Sequence, residues 1–164
     1  MAIKTGADAI VESLLANDIS TIFGLPGGQL DHLFDSIYRS DGKIQLMHTR
    51  HEQGAAYMAF GYAQTTGKPG VYTVVPGPGL LNTTAALCTA WACNSPVLAL
   101  VGQLNRDEIG SGYGHLHEIN DQLGLVRHLT KWAERIDDSA DTPTLMRRAF
   151  EELQSCLLYT SDAA

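Results

Sequence analysis

A chain of 164 residues suits one globular domain with its own core. Its 45% hydrophobic and 18% charged residues are the balance of a folded protein, and a net charge of −7 offers no basic footprint for nucleic acid or an anionic membrane. Three cysteines (Cys88, Cys93 and Cys156), none in CxxC spacing, argue against a disulfide framework or a zinc site and point to a reducing cytoplasm.

The amino terminus, MAIKTGADAIVESLL, lacks a cationic stretch followed by a continuous apolar one. It reads as an amphipathic helix and not as a signal peptide. Thr5 caps that helix, with Asp8 three residues on and Ile10, Val11, Leu14 and Leu15 on one face. A short strand follows over 20–23. Residues 24–28 are Gly-Leu-Pro-Gly-Gly and must turn, because glycine and proline at this density stop helix and strand alike. Leu30, Leu33, Phe34, Ile37 and Tyr38 then recur at helical spacing, with His32 on the polar side. Residues 44–48 read as a strand and 52–63 as a helix rich in alanine and glycine. The β-branched run 71–75 is a buried strand, ended by Pro76-Gly77-Pro78-Gly79. Residues 80–92 read as a second small-residue helix. Residues 96–101 form another buried strand, far too short to span a bilayer. Residues 102–114 read as loop and 129–136 as an edge strand, with Arg127 and Lys131 as surface charges. Thr142 before Pro143 is a cap-then-first-turn pair for a last helix running to about residue 154. After Ser155 the pattern dissolves, so 156–164 read as a non-native tail or a truncation point.

Strands alternating with helices, and strands that are nearly continuously apolar, predict an α/β fold. It has three layers, with a mostly parallel sheet and helices on both faces. Ligands in such sheets bind beyond the carboxyl ends of strands. Three loops leave strand ends with glycine-rich or charged residues: 24–28, 49–52 and 76–79.

Glu52 lies where a strand gives way to a helix, in His48-Thr49-Arg50-His51-Glu52-Gln53-Gly54-Ala55-Ala56. Taken alone it fits a first-turn acid that complements the helix dipole. The run is not HExxH, so a zinc protease is excluded. The two glycine-proline segments fit plain turns, or backbone that a ligand approaches closely. Neither is GxGxxG, since Asn82 stands where a third glycine belongs, and no phosphate-loop lysine follows. A nucleotide-binding Rossmann domain is therefore disfavoured.

Together the motifs are specific. Gly24-Leu-Pro-Gly-Gly, Arg50-His-Glu-Gln-Gly-Ala-Ala, Gly61-Tyr-Ala, Thr66-Gly-Lys-Pro-Gly-Val, Gly77-Pro-Gly-Leu-Leu-Asn and Val101-Gly-Gln occur in that order, followed by Ile109-Gly and Thr130-Lys-Trp. This array resembles the amino-terminal, pyrimidine-binding domain of thiamine-diphosphate enzymes of the acetolactate synthase type. Related enzymes include pyruvate oxidase and benzoylformate decarboxylase. The resemblance implies the thiamine-diphosphate-binding fold, with residues 1–155 as the pyrimidine-binding domain. It implies thiamine diphosphate as cofactor, lying between this domain and a diphosphate-binding domain of another subunit. Magnesium would be held by that second domain, whose Gly-Asp-Gly motif is not in this sequence. The partners implied are a further copy of the chain (a homodimer or tetramer), through small-residue helices near Ala55 and Thr84, and a small 2-oxo acid.

By the same resemblance Glu52 is the catalytic acid. It would hydrogen-bond N1′ of the aminopyrimidine, favour the imino tautomer and so activate thiazolium C2, from a buried setting where it can share its proton. Pro26 and Gly27 would present backbone to the pyrimidine, and Pro76 and Asn82 would lie against it. The family usually has Ser or Thr before Gly-Pro-Gly, so Pro76 is a departure that loses a hydroxyl and leaves only shape and a carbonyl. His115-Leu116-His117-Glu118 is another departure, because synthases have Phe-Gln-Glu there. The two histidines resemble the pair in pyruvate decarboxylase, and they also fit solvated loop residues. The implied activity is carboligation or decarboxylation of a 2-oxo acid, acetolactate synthase-like. The alternatives are a benzoylformate decarboxylase-like enzyme, a 2-hydroxyacyl-CoA lyase-like enzyme and a non-catalytic assembly fragment. Glyoxylate carboligase is disfavoured, because it lacks the glutamate.

Overall fold

A computed structural model of the chain describes residues 4–155, so Cys156 and the rest of the doubtful tail lie outside the described residues. The sheet has four strands: β1 (Thr21–Gly24), β2 (Gln45–His48), β3 (Gly70–Val74) and β4 (Val97–Val101). All pair in parallel, in the order β2-β1-β3-β4. Register is fixed at the carboxyl ends, where Gly24 pairs with both His48 and Thr73, and Val74 with Val101.

Side chains alternate across this sheet, and the two faces collect different partners. On one face Ile22 and Val71 meet Val11 and Leu14 of α1 (Gly6–Ala16), Leu33 and Ile37 of α2 (Asp31–Tyr38), and Met146 and Phe150 of α7 (Thr142–Gln154). On the other face Phe23, Tyr72 and Val74 meet Ala55, Ala56 and Ala59 of α3 (Glu52–Thr66), and Ala86 and Leu87 of α5 (Thr84–Ala92). Alanine on α3 lets that helix lie close to the sheet, while bulkier residues fill the first face. The architecture is thus the expected α/β arrangement of three layers with a parallel sheet.

The amino-terminal cap forms as expected. Asp8 N donates to Thr5 Oγ1 at 3.1 Å, and Thr5 N donates to Asp8 Oδ2 at 3.0 Å. Asp8 Oδ1 also accepts from Ser36 Oγ and from Arg39 Nη2, each at 2.7 Å. One carboxylate therefore caps α1 and ties it to the end of α2.

Three expected elements differ. The helix expected over 80–92 is two helices, α4 (Pro78–Leu81) and α5, broken at Asn82 and Thr83. Thr83 Oγ1 donates to Leu80 O at 2.7 Å and meets Tyr72 Oη at 3.0 Å inside the core. Thr83 is fully buried in that pairing, and burial pushes the Tyr72 phenol well above its ordinary value. The edge strand expected over 129–136 does not form. Those residues run without a ladder partner, separated from β4 by a cavity of about 580 Å³ that both segments line. Finally, Thr142 is not the cap of α7. Asp141 holds that position, and Thr142 is the buried first residue of the helix, its hydroxyl without a partner among the described residues.

Lys131 also does more than carry surface charge. Its Nζ donates to Glu152 O at 2.9 Å and Ser155 O at 3.0 Å, and pairs with the Glu152 carboxylate at 3.2 Å. A cation there caps the carbonyl end of α7. Arg127 pairs with Glu134 at 3.1 Å, in keeping with a surface charge.

The Asp8 cluster predicts an acid-sensitive term in stability. The backbone N–H of Thr5, then Ser36, the Thr5 hydroxyl and Arg39, hold the Asp8 carboxyl far below its ordinary value. A folded-state value below the unfolded one stabilises fully above the unfolded value, about 3.9, and is lost as pH falls through the folded value. Urea unfolding should therefore show Asp8→Asn less stable than the parent at pH 7, with the gap shrinking below about pH 4. A gap that stays constant down to pH 2 would show that charge is not what Asp8 contributes.

Candidate active site

All four strands run in parallel, so their carboxyl ends share one side of the sheet. The chain passes outward from β1 to β2, then returns across β1 to β3. In open parallel sheets a reversal of this kind marks the crevice where ligands bind, here at the carboxyl ends of β1 and β3. The loop after β1 carries Pro26 and Gly27, the loop after β2 leads to Glu52, and the loop after β3 carries Pro76 and Gly77.

Backbone bonds past the strand ends hold these loops in place. Thr49 N donates to Gly24 O at 3.0 Å, Leu25 N to Thr73 O at 3.3 Å, and Gly102 N to Val74 O at 3.0 Å. The β1 and β3 loops touch directly: a Cβ on Gly27 would overlap Val75 Cγ1. Pro26 is exposed beside that contact.

Glu52 is the first residue of α3. The preceding residue, His51, caps the helix through Nδ1, which accepts from Gln53 N at 3.2 Å. The Glu52 carboxylate is bound across the crevice, where Asn82 Nδ2 donates to Oε2 at 2.9 Å. This contact is what the break between α4 and α5 achieves. Asn82 is the C-cap of α4, at the interruption where its side chain leaves the helix and reaches Glu52. Thirty residues separate the two in sequence. The carboxyl expected to be buried is only partly so.

Pro76 is fully buried, and its carbonyl accepts from Gly79 N at 3.3 Å. Gly77 adopts φ +56°, and a Cβ there would overlap the carbonyl of His117. Both the torsion and the close approach require glycine. The loop bearing the two expected histidines is thus packed onto the Gly-Pro-Gly turn by its backbone. His117 is half-buried, and its Nδ1 lies 3.0 Å from Gln29 Oε1. His115 is less engaged, with Nδ1 3.8 Å from Glu108 Oε1. Glu118 fastens the loop by accepting from Gly112 N at 2.9 Å, Gly114 N at 2.8 Å and His115 N at 2.9 Å. These backbone donors, Gly112 first, hold the Glu118 carboxyl below its ordinary value.

Sequence reasoning missed Gln122. It begins α6 (Gln122–Arg127), its Oε1 accepts from Gly77 N at 3.0 Å, and its Nε2 donates to Gly102 O at 3.1 Å. One amide thereby clamps the loops after β3 and β4. The cue was present, because Asp121 is a good N-cap, accepting from Gly124 N at 2.8 Å, with Leu123 and Val126 three apart behind it. The cavity beside β4 is a different place: Glu52, Asn82, Pro26, Gly27 and Pro76 do not line it. Among the described residues no group of three His, Cys, Asp or Glu is placed to hold a metal ion, and no helix is long and apolar enough to cross a membrane.

Residues 4–125 match the family described as "Thiamine pyrophosphate enzyme, N-terminal TPP binding domain". The chain belongs to that family. Its similarity to proteins of known name runs further along the chain. It is 41% identical over 148 residues to a probable acetolactate synthase large subunit of Methanocaldococcus jannaschii, covering 89% of this chain and 24% of that protein. It is 38% identical over 148 residues to an acetolactate synthase of Arthrospira platensis, covering 89% and 25%. It is also 35% identical over 151 residues to a probable 2-ketoarginine decarboxylase of Pseudomonas aeruginosa, covering 92% and 27%. This N-terminal TPP-binding domain therefore spans about a quarter of the length of the curated relatives it matches.

The Gly77 geometry generates a prediction for this domain. Gly77→Ala places a side chain where torsion and space both oppose it, and should cost more than about 1 kcal/mol in urea unfolding. Gly28→Ala is the control, because a Cβ there meets nothing within 4 Å. Equal stability of the two variants would show that the close approach of His117 is not a constraint.

Proposed function

We propose that this domain forms the aminopyrimidine side of a thiamine diphosphate site, in an enzyme that joins or cleaves carbon–carbon bonds of a 2-oxo acid. The observation that carries the reading is the Glu52–Asn82 pair at the mouth of the β1/β3 crevice. Asn82 occupies Oε2, while Oε1 accepts no hydrogen bond among the described residues. One oxygen is thus held and the other is available to a ring nitrogen. Gly27 and Gly79 let the loops after β1 and β3 close on Val75, and a Cβ on Gly79 would also come within 3.7 Å of Glu52 Oε1. A carboxyl with one oxygen held and one free suits the chemistry of a ring nitrogen that shares a proton.

In this reading Glu52 holds and exchanges a proton at N1′ of the aminopyrimidine, and Asn82 fixes the carboxyl for that exchange. Pro26 and Gly27 offer backbone from the β1 side. Pro76 acts through shape, as its ring fills the base of the β3 loop. His115 and His117 lie on a loop beside the site and suit proton exchange with bound substrate. When bound, the cofactor supplies an electron sink for the carbanion left by a 2-oxo acid. One relative named above is an acetolactate synthase and another a probable acetolactate synthase large subunit, which supports carboligation as the leading chemistry; the third, a probable 2-ketoarginine decarboxylase, supports decarboxylation as the alternative.

In this reading the remaining parts of the site come from a diphosphate-binding domain. The diphosphate-binding domain and its magnesium ion would come from another subunit, consistent with a carboxyl that stands half open here. Tyr57, Met58, Leu81 and Trp91 are exposed on and beside α3 and α5, and support a homodimeric or tetrameric assembly. Free Cys88 and Cys93 suit a reducing cytoplasm.

Two predictions test this reading. The 164-residue chain alone should show neither tight thiamine diphosphate binding nor pyruvate turnover, because no Gly-Asp-Gly is present. Calorimetry showing micromolar, magnesium-dependent binding to the chain would refute that. In the longer enzyme, Glu52→Gln should leave the fold and cofactor affinity nearly unchanged. Gln matches the shape of Glu but cannot release a proton and become an anion. Hydrogen–deuterium exchange at cofactor C2, acid-quenched and read by NMR, should slow about 10²–10⁴-fold. Exchange as fast as the parent's would reduce Glu52 to a helix-start acid.

A further inference from the structure

The loop histidine has a partner that the proposed chemistry does not use. Gln29 lies in the single 3-10 turn after β1 (Gly28–Leu30), on the β1 side of the crevice. Its Nε2 donates to Leu116 O at 3.1 Å, and its Oε1 faces His117 Nδ1 at 3.0 Å. A backbone carbonyl can only accept, so the Gln29 amide must turn its NH₂ toward Leu116. Its oxygen is then the atom facing His117, and an amide oxygen also can only accept. His117 Nδ1 must therefore carry the hydrogen in this contact. In the neutral ring that leaves Nε2 bare.

We propose that Gln29 is a positioning residue, holding His117 as the Nδ1–H tautomer so that any proton the ring takes up or gives up passes through Nε2. The proposal rests on the reading that His117 stands beside the cofactor site. The surroundings make the hold rigid. The His117 backbone sits at φ +69°, with its carbonyl against Gly77. Glu118 gathers three backbone N–H groups of the same loop. Gln29 itself emerges from a three-residue turn whose next residue, Leu30, is buried in the core. A bidentate amide between two consecutive residues, Leu116 and His117, fixes both the loop and the hydrogen on the ring.

His51 provides an internal reference. Its Nδ1 accepts from the backbone N–H of Gln53, so that nitrogen is bare and the neutral ring carries its hydrogen on Nε2. The two histidines should hold opposite tautomers in one molecule.

The test is NMR of the chain labelled with ¹⁵N in the histidine rings, at a pH where the rings are neutral. His117 should show a protonated Nδ1 and a bare Nε2, and His51 the reverse. Gln29→Leu should abolish the Nδ1–H preference of His117 and leave His51 unchanged. Gln29→Glu keeps an acceptor for Nδ1–H but cannot donate to Leu116 O, and should restore the protonated Nδ1 in part. In the longer enzyme Gln29→Leu should lower kcat severalfold with KM little changed, and Gln29→Glu should recover part of the loss. An Nε2–H tautomer at His117 in the parent, a spectrum unmoved by Gln29→Leu, or an unchanged kcat in that variant would each overturn the proposal. The tautomer measurement needs no cofactor, so it fails independently of the Glu52 exchange experiment, which tests the cofactor reading itself.

Discussion

Parallel pairing of β1 with β2 on one side and β3 on the other is the constraint from which the remaining structure follows. Parallel strands cannot be joined by tight turns, so each must be followed by a long return, here mostly a helix. Those returns cover both faces of the sheet and bury β3 completely. The same pairing delivers every strand's carboxyl end to one side. Glu52, Pro26, Gly27, Pro76 and Asn82, scattered over more than fifty positions, meet there because each lies in or just beyond one of those loops.

Precision at the site comes from polar contacts that interrupt regular structure. Tyr72 and Thr83 pair in the core at the break between α4 and α5, and Asn82 beside that pair reaches Glu52. Gln122 clamps the loops after β3 and β4, and Gln29 clamps the loop after β1 to the histidine loop. Gln122 satisfies groups on two different loops, and Gln29 satisfies two groups of one loop. Removing one would leave several polar groups unpaired, which costs more than the single bond it makes.

The edge at β4 shows the opposite condition. Its residues Val97–Val101 are only half-buried, and the apolar cavity beside them separates the strand from residues 129–136. Residues 129–136 have strand-like composition, yet a strand exists only where a neighbour supplies the ladder. That is why the expected edge strand fails although the four strands with partners form within a residue of their expected bounds.

The sequence by itself determined the layers, the parallel sheet, the alternation of strand and helix, the α1 cap at Thr5 and the family array of glycine-rich motifs. These are local signals: hydrophobic period, turn residues and capping pairs act within a few positions. The same signals placed Glu52 at a helix start but could not say what faces it. Tertiary structure alone decided the Asn82–Glu52 bond, the helix break, the absence of a strand over 129–136, the demotion of Thr142 from cap to buried residue, and the role of Gln29 and Gln122. All of these depend on which groups meet across distances of tens of residues, where burial and hydrogen-bond satisfaction overrule local propensity.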